Sequence, residues 1–356
     1  MHWRRSFEKV KTYCHMLQQG YEMGDCLVRM PDGSQEPACI ATLQKLDGVF
    51  WRLIKSAHLS RPEHYLSIYQ SGCNASCLKC HSHEFSQVYN GEWASTDILA
   101  EMATDYAQHL TVWEPRKRAT TYHATDLCRC CGRCIVQGTP HPLCPQAIEP
   151  EQVVISPQGF GPARNIVAFT GGDIACRADF YAEATEKIKA AAPDLWVLLE
   201  TNGYGLTTEN LDLLATAGLD AFWLDIKAHD ADLYRRLCGT DNTTVLAAPA
   251  EILRRNMVLE VLTVFIPGWV ETKEIQAVAR LLAGLDPTIP YTILCFFPAY
   301  RLQDVSSPTL EQMLKAYQVA CEEGLVNVKL GNCGHFARTP EDFDRLIATV
   351  GMEGIA

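Results

Sequence analysis

The sharpest chemical signal in this sequence is a run of three cysteines, Cys73, Cys77 and Cys80, spaced C-x3-C-x2-C. Thiolates are the usual ligands of iron–sulfur clusters, and a compact loop can bring three of them to three corners of one cube. Three ligands on four irons leave one iron open to a small chelating group. Zinc is the competing occupant, with His81 or His83 close enough in sequence to complete its shell. A second group, Cys128, Cys130, Cys131, Cys134 and Cys144, reads C-x2-C-x2-C-x9-C-P from Cys128, with Cys130 surplus. The expected ligands there are Cys128, Cys131, Cys134 and Cys144. Four thiolates suit a closed iron–sulfur cluster, and they equally suit mononuclear iron or zinc.

The other cysteines of the 16 are scattered: Cys14, Cys26, Cys39, Cys176, Cys238, Cys295, Cys321 and Cys333. They read as small buried hydrophobes. Dense cysteine in a reducing compartment points to metal or catalysis more than to disulfides. The start of the chain carries charge without an apolar h-region, and no run of 18 apolar residues follows, so a cytoplasmic protein with no membrane span is expected. With 47% hydrophobic and 21% charged residues the chain is globular, and a net charge of -11 argues against nucleic acid as a partner.

These cysteines need a scaffold, and the apolar runs supply one. Segments 65–70, 165–170, 195–200, 221–226, 258–266, 291–297 and 326–330 read as buried parallel strands. Helical patterns alternate with them, starting at Ser95 or Thr96, at Thr207 or Thr208, and at Glu271. Alternation of this kind means βαβ units, an α/β fold closing toward a partial (β/α)6-type barrel, with chemistry at the carboxyl ends of the strands. Residues 1–62 are expected as an N-terminal extension: a helix over 7–19, a hairpin around Pro31-Asp32-Gly33 and an amphipathic piece over 49–58. The barrel is expected over 63–340, interrupted by a cysteine-rich insertion at 112–163, with a tail at 341–356.

The triad, directly after a strand, resembles that of the radical S-adenosylmethionine superfamily, and Thr170-Gly171-Gly172-Asp173 resembles its Gly-Gly-Glu motif. The resemblance implies a [4Fe-4S] cluster whose open iron binds S-adenosylmethionine, a low-potential electron donor, and a 5′-deoxyadenosyl radical as the product of cleavage. It places Gly171, Gly172 and Asp173 at the methionine amino group, with Asp for the family's Glu. Leu199-Glu200-Thr201-Asn202-Gly203, Asp225-Ile226-Lys227 and Ile266-Pro267-Gly268-Trp269 are similar to motifs of the branch containing pyruvate formate-lyase activase. By that likeness Glu200, Thr201, Asn202, Asp225 and Lys227 line the adenosylmethionine pocket or a nearby cation site. Asp225 and Lys227 could instead form a strand-end ion pair. The second cysteine run resembles a bacterial ferredoxin motif with its last gap lengthened, hence a ferredoxin-like insertion.

Two reactions share this framework. An Asp-Gly-Pro-Gly stretch expected of activases before the triad is missing, as is their sixth-strand histidine, from Phe297-Pro298-Ala299-Tyr300. The wording of 80–86 and 160–165 resembles archaeal, methanogen-type radical enzymes. That resemblance implies cobalamin-dependent C-methylation of a glutamine in a methyl-coenzyme M reductase subunit as a post-translational modification. The alternative is an activase that places a glycyl radical on a partner enzyme; a simple electron carrier would not need the Gly-Gly-Asp and Asp-Ile-Lys segments. No cobalamin-domain motif precedes the barrel, so a corrinoid would need an unusual cradle.

Overall fold

The computed structural model describes residues 14–356. The strands are β1 (Leu27–Arg29), β2 (Gln35–Pro37), β3 (Leu43–Leu46), β4 (Val49–Leu59), β5 (Leu66–Gln70), β6 (Glu92–Ser95), β7 (Val154–Ser156), β8 (Gly159–Gly161), β9 (Ile166–Gly171), β10 (Trp196–Thr201), β11 (Ala221–Asp225), β12 (Val258–Phe265), β13 (Tyr291–Cys295) and β14 (Val328–Gly331). The main sheet runs β14-β13-β12-β11-β10-β9-β5-β4-β3, with β6 paired to β4. From β5 to β14 every neighbouring pair is parallel. β14 and β3 stand at opposite ends of the path, so the barrel is partial, as expected.

The parallel strands are buried on both faces, which is why they read as unbroken apolar runs such as Val197-Leu198-Leu199. Helices Ala178–Ala191, Thr208–Thr216, Thr243–Arg254, Thr272–Ala283 and Leu310–Glu322 are threaded between them. The helix Thr96–Ala107 begins where the Ser95 hydroxyl accepts from Ile98 N, and Thr208–Thr216 begins with Thr207 accepting from Asn210 N.

The segment expected as an extension joins this sheet. β4, the amphipathic piece expected at 49–58, pairs antiparallel with β5 from Leu59↔Leu66 to Ile54↔Gln70. β1 and β2 form the hairpin expected around Pro31-Asp32-Gly33. Of the helix expected over 7–19, the described part is His15–Gln18, and the rest lies outside the described residues. At the other end of the chain, helix Pro340–Val350 leads to a segment that pairs with β14, Ala356 N donating to Leu330 O at 2.8 Å. This covers an otherwise bare sheet edge.

The insertion lies under the amino ends of the strands. Tyr65 OH meets Thr121 Oγ1 at 2.6 Å, Arg164 Nη1 donates to Thr120 O at 2.9 Å, and Arg116 Nε donates to Asp220 Oδ1 at 2.9 Å. Tyr122 N donates to Glu260 Oε2 at 2.9 Å, and Lys329 Nζ donates to Tyr122 O at 2.7 Å. Residues 116–126 thus close the barrel floor. Among the described residues no helix is long and apolar enough to cross a membrane.

Candidate active site

The chain leaves the carboxyl end of β5 into the triad loop, and that loop is pinned from three sides. Gly72 N donates to Phe85 O at 2.9 Å, and Asn74 N donates to Asp173 O at 2.7 Å. Ser76 N and Leu78 N donate to Cys238 O and Leu237 O, at 2.9 and 2.8 Å, meeting carbonyls that the last turn of helix Ala231–Cys238 leaves free. Under the loop lies Arg52, fully buried, with donors to Thr42 O at 3.0 Å, Gln70 Oε1 at 3.3 Å, Gly72 O at 3.0 Å and Gly172 O at 3.3 Å. Sequence reading missed Arg52. The signal was available, since it is a cation within the apolar run Phe50-Trp51-Arg52-Leu53-Ile54.

Gly172 allows this close approach. A Cβ there would lie 2.4 Å from Gly72 O, so any side chain would push the two loops apart. Asp173 then ties β9 to β10. Its Oδ1 accepts from Ala175 N at 2.7 Å, and its Oδ2 accepts from Thr201 Oγ1 at 2.7 Å and Asn202 N at 2.8 Å. Burial pushes its carboxyl above the usual range, against the pull of these donors. Asn202 Nδ2 donates to Asn74 Oδ1 at 2.7 Å and reaches Cys73 Sγ at 3.7 Å.

These residues face one cavity of about 510 Å³ at the carboxyl ends of the strands. Cys73, Cys77, Cys80, Gly171, Asp173, Glu200, Thr201, Asn202, Asp225 and Lys227 all line it. Gly172 does not; it is spent on backbone packing. Glu200 reaches the wall, but Tyr65 OH donates to its Oε1 at 2.9 Å and Thr170 Oγ1 donates to its Oε2 at 2.5 Å. Burial pushes it up to about 8. Asp225 and Lys227 are salt-bridged to each other. Burial works against the Lys227 ammonium, yet Asp225 holds its pKa well above the ordinary value. Cys238, placed beside Cys77, was missed because it lies far along the chain, at the end of helix Ala231–Cys238. Lys79 was also missed: its Nζ is buried without a hydrogen-bond partner and lies 3.7 Å from the Phe297 ring centroid.

Among the described residues no three Cys, His, Asp or Glu side chains converge to clasp a single ion. A tetrahedral ion with bonds of ~2.3 Å would draw its sulfurs to within about 4 Å of each other, whereas a cube spreads its ligands over separate corners. The triad shares its cavity with Asp173, Thr201 and Asn202, an arrangement that suits a cluster with a ligand on its open iron.

The second cysteine group surrounds its own cavity of about 320 Å³, lined by Cys128, Cys131, Cys134 and Cys144 but not Cys130. Cys130 has φ 59 and turns its thiol toward His64 Nε2 at 3.9 Å. Backbone N–H groups two residues on point at two of the thiols, Cys130 N to Cys128 Sγ and Gln146 N to Cys144 Sγ, each at 3.4 Å. Burial pushes the Cys128 thiol up, against the pull of the Cys130 N–H. His64 Nε2 lies 3.0 Å from Cys128 O, which fixes this group beside the floor, away from the triad.

The profile of the radical SAM superfamily matches residues 67–282, and the chain belongs to that superfamily. The family implies a [4Fe-4S] cluster and S-adenosylmethionine. Two curated relatives come from Methanocaldococcus jannaschii. MJ1632, provisionally named a glycyl-radical enzyme activating enzyme, is 28% identical over 158 residues, 43% of this chain and 58% of the relative. MJ0808, whose name gives no function, is 30% identical over 138 residues, 38% of this chain and 40% of the relative. The chain thus spans less than two thirds of the length of either. Among solved structures, a domain of pyruvate-formate lyase-activating enzyme from Bacteroides vulgatus superposes with TM-score 0.40 at 18% identity, over 47% of this chain and 98% of that one.

Proposed function

We propose that the chain cleaves S-adenosylmethionine at a cluster held by Cys73, Cys77 and Cys80, and forms a radical on a protein or peptide substrate at the same cavity. The observation that carries this reading is the convergence of the triad, Gly171, Asp173, Thr201, Asn202, Asp225 and Lys227 on one cavity of about 510 Å³. When bound, the cluster supplies the electron that splits the sulfonium into methionine and a deoxyadenosyl radical.

The chain's own residues do the positioning. Gly171 lets backbone approach the methionine end. Asp173 holds the β9 and β10 ends together, so that Thr201 and Asn202 face the same ligand. The Lys227 ammonium and the Asp225 carboxylate present a paired donor and acceptor from the next strand. The apolar wall of Leu262, Val264, Ile266 and Leu294 keeps water from the reacting atoms. Cys128, Cys131, Cys134 and Cys144 would hold the second metal group, an iron–sulfur cluster or a single iron, within the insertion.

The name of MJ1632 favours a backbone glycyl radical on a partner enzyme as the outcome. The missing Asp-Gly-Pro-Gly stretch favours the second reading, cobalamin-dependent C-methylation of a methyl-coenzyme M reductase glutamine. A corrinoid, a macrocycle with a nucleotide tail, is too large to share a cavity of about 510 Å³ with adenosylmethionine.

Product analysis separates the readings. With reductant and a substrate peptide, an activase makes deoxyadenosine alone and leaves a persistent organic radical visible by paramagnetic resonance. A methyltransferase makes deoxyadenosine and S-adenosylhomocysteine in near-equal amounts and adds one methylene to the peptide. Absence of deoxyadenosine under both conditions would sink the proposal.

A further inference from the structure

The cavity at the carboxyl ends of the strands has three carboxylates in its wall, Asp173, Glu200 and Asp225, and each is already engaged. Asp173 accepts from three donors of the chain, Glu200 accepts from Tyr65 and Thr170, and Asp225 pairs with Lys227. The other ammonium in the wall, Lys79, is left over. Among the described residues its buried Nζ has no hydrogen-bond partner. It rests on aromatic rings instead, 3.7 Å from the Phe297 ring centroid and 5.5 Å from that of Phe296. A ring face takes one side of an ammonium, which carries three donors. A buried cation in that state is costly until an anion meets it.

Lys79 stands in the triad loop after β5, while Phe297 follows β13, so their contact reaches from the first parallel strand to the sixth. The same two loops touch twice more. The His83 ring stacks on Tyr300 at 4.4 Å between centroids, and Tyr300 OH donates to Gln87 Oε1 at 2.7 Å. The Phe297 ring is held in turn by His335, stacked at 4.8 Å, and by the edge contact of His81 at 6.0 Å. The ammonium therefore sits on a fixed platform in the cavity wall. That platform belongs to β13, separated in the sheet by β12, β11 and β10 from β9, which carries Gly171 and leads into Asp173.

We propose that Lys79 is a specificity-determining residue that binds a carboxylate of the substrate, so that the enzyme selects an acidic segment of a protein or peptide. The inference rests on the reading that a protein or peptide reacts at this cavity. Two sources supply such a group, an Asp or Glu side chain and a free C-terminal end. Either draws Nζ off the Phe297 face into a charge-assisted hydrogen bond. The pair forms beside Ile266, Leu294 and Phe297, where the low local dielectric strengthens it. The cavity's own carboxylates are engaged elsewhere, so none competes for the ammonium.

Calorimetry on the full chain, reconstituted anaerobically with iron and sulfide and saturated with adenosylmethionine, tests this with three N-acetylated pentapeptides. The first has a central glutamate and an amidated end, the second a central glutamine and an amidated end, the third a central glutamine and a free carboxyl end. At least one acidic peptide should bind roughly ten- to hundredfold more tightly than the neutral one, and which of them does so identifies the source. Lys79→Met should abolish that preference and leave the affinity of the neutral peptide as it was, while Lys79→Arg should restore part of it. Equal binding of all three peptides to the wild-type chain, or none, overturns the proposal however the variants fold. So does a preference that survives in folded Lys79→Met. If Lys79→Met weakened adenosylmethionine and shifted all three peptides alike, the ammonium would belong to the cofactor and the proposal would again fall. Deoxyadenosine formed by the wild-type chain with reductant is read on the same preparation. Its absence counts against the radical reading, whereas the peptide preference is decided without it.

Discussion

Asp173 carries a job that its motif does not announce: it ties the chain to itself. The likeness to Gly-Gly-Glu casts it as a carboxylate for the methionine ammonium, yet three donors of the chain itself already occupy its two oxygens. A carboxylate has about four acceptor positions, so one is left for a ligand. Asp173→Asn should therefore act mainly through the loops. The amide presents an NH2 where one of the three donors now points, at a cost of about 1–3 kcal/mol. Urea titration should show that loss, and calorimetry should show adenosylmethionine binding weakened by roughly tenfold. Unchanged stability with unchanged affinity would sink this account. The motif made the position legible in sequence. The partners were not, because Thr201 and Asn202 meet Asp173 only once β9 and β10 lie side by side. The partners of Arg52 were hidden for the same reason: its acceptors come from the end of the Ala38–Ala41 helix, from β5 and from two loops that meet only when the sheet forms.

The parallel strands were legible to within about two residues, because burial on both faces writes a continuous apolar run, and of the helices the expected ones were those starting at Thr96, Thr208 and Thr272. What local pattern could not reveal is how the insertion docks, since that depends on single polar residues within apolar strands. Glu260 in β12 is one of these, 1% exposed and accepting from Tyr122 N. Burial pushes its carboxyl from 4.5 up to about 7. A carboxyl raised in the folded state gives stability that is fully present below its unfolded pKa and is lost as pH rises through the folded one. The wild-type chain should therefore lose stability between pH 4.5 and about 7 from this group. Glu260→Gln keeps an acceptor for Tyr122 and carries no charge, so its melting temperature should vary less over that window. Parallel melting curves for the two proteins would remove Glu260 as the cause.

Across the whole molecule, the two cysteine groups named by their spacing stand at opposite ends of the barrel. The triad follows the carboxyl end of β5, and the Cys128 group meets His64 before its amino end. The 5 residues of β5, at about 3.3 Å each, put roughly 17 Å of strand between them. Spacing alone could not reveal this, since both groups precede β9 and nothing local says that the chain returns to the floor. The Cys128 group is therefore placed to order the floor and not to touch the chemistry. Cys134→Ala should lose the iron of that group and lower the melting temperature, because each thiolate is a folding ligand of the insertion. Cys130→Ala should keep the iron, since that thiol points at His64. With a chemical reductant, deoxyadenosine formation per triad cluster should survive in Cys134→Ala, as the reductant reaches the mouth directly. Iron analysis, melting curves and product quantification on the same preparations check all three outcomes. Loss of deoxyadenosine with the triad iron intact would mean that the floor site feeds the cavity after all, and the barrel interior between Tyr65 and Glu200 would then be the path to interrupt.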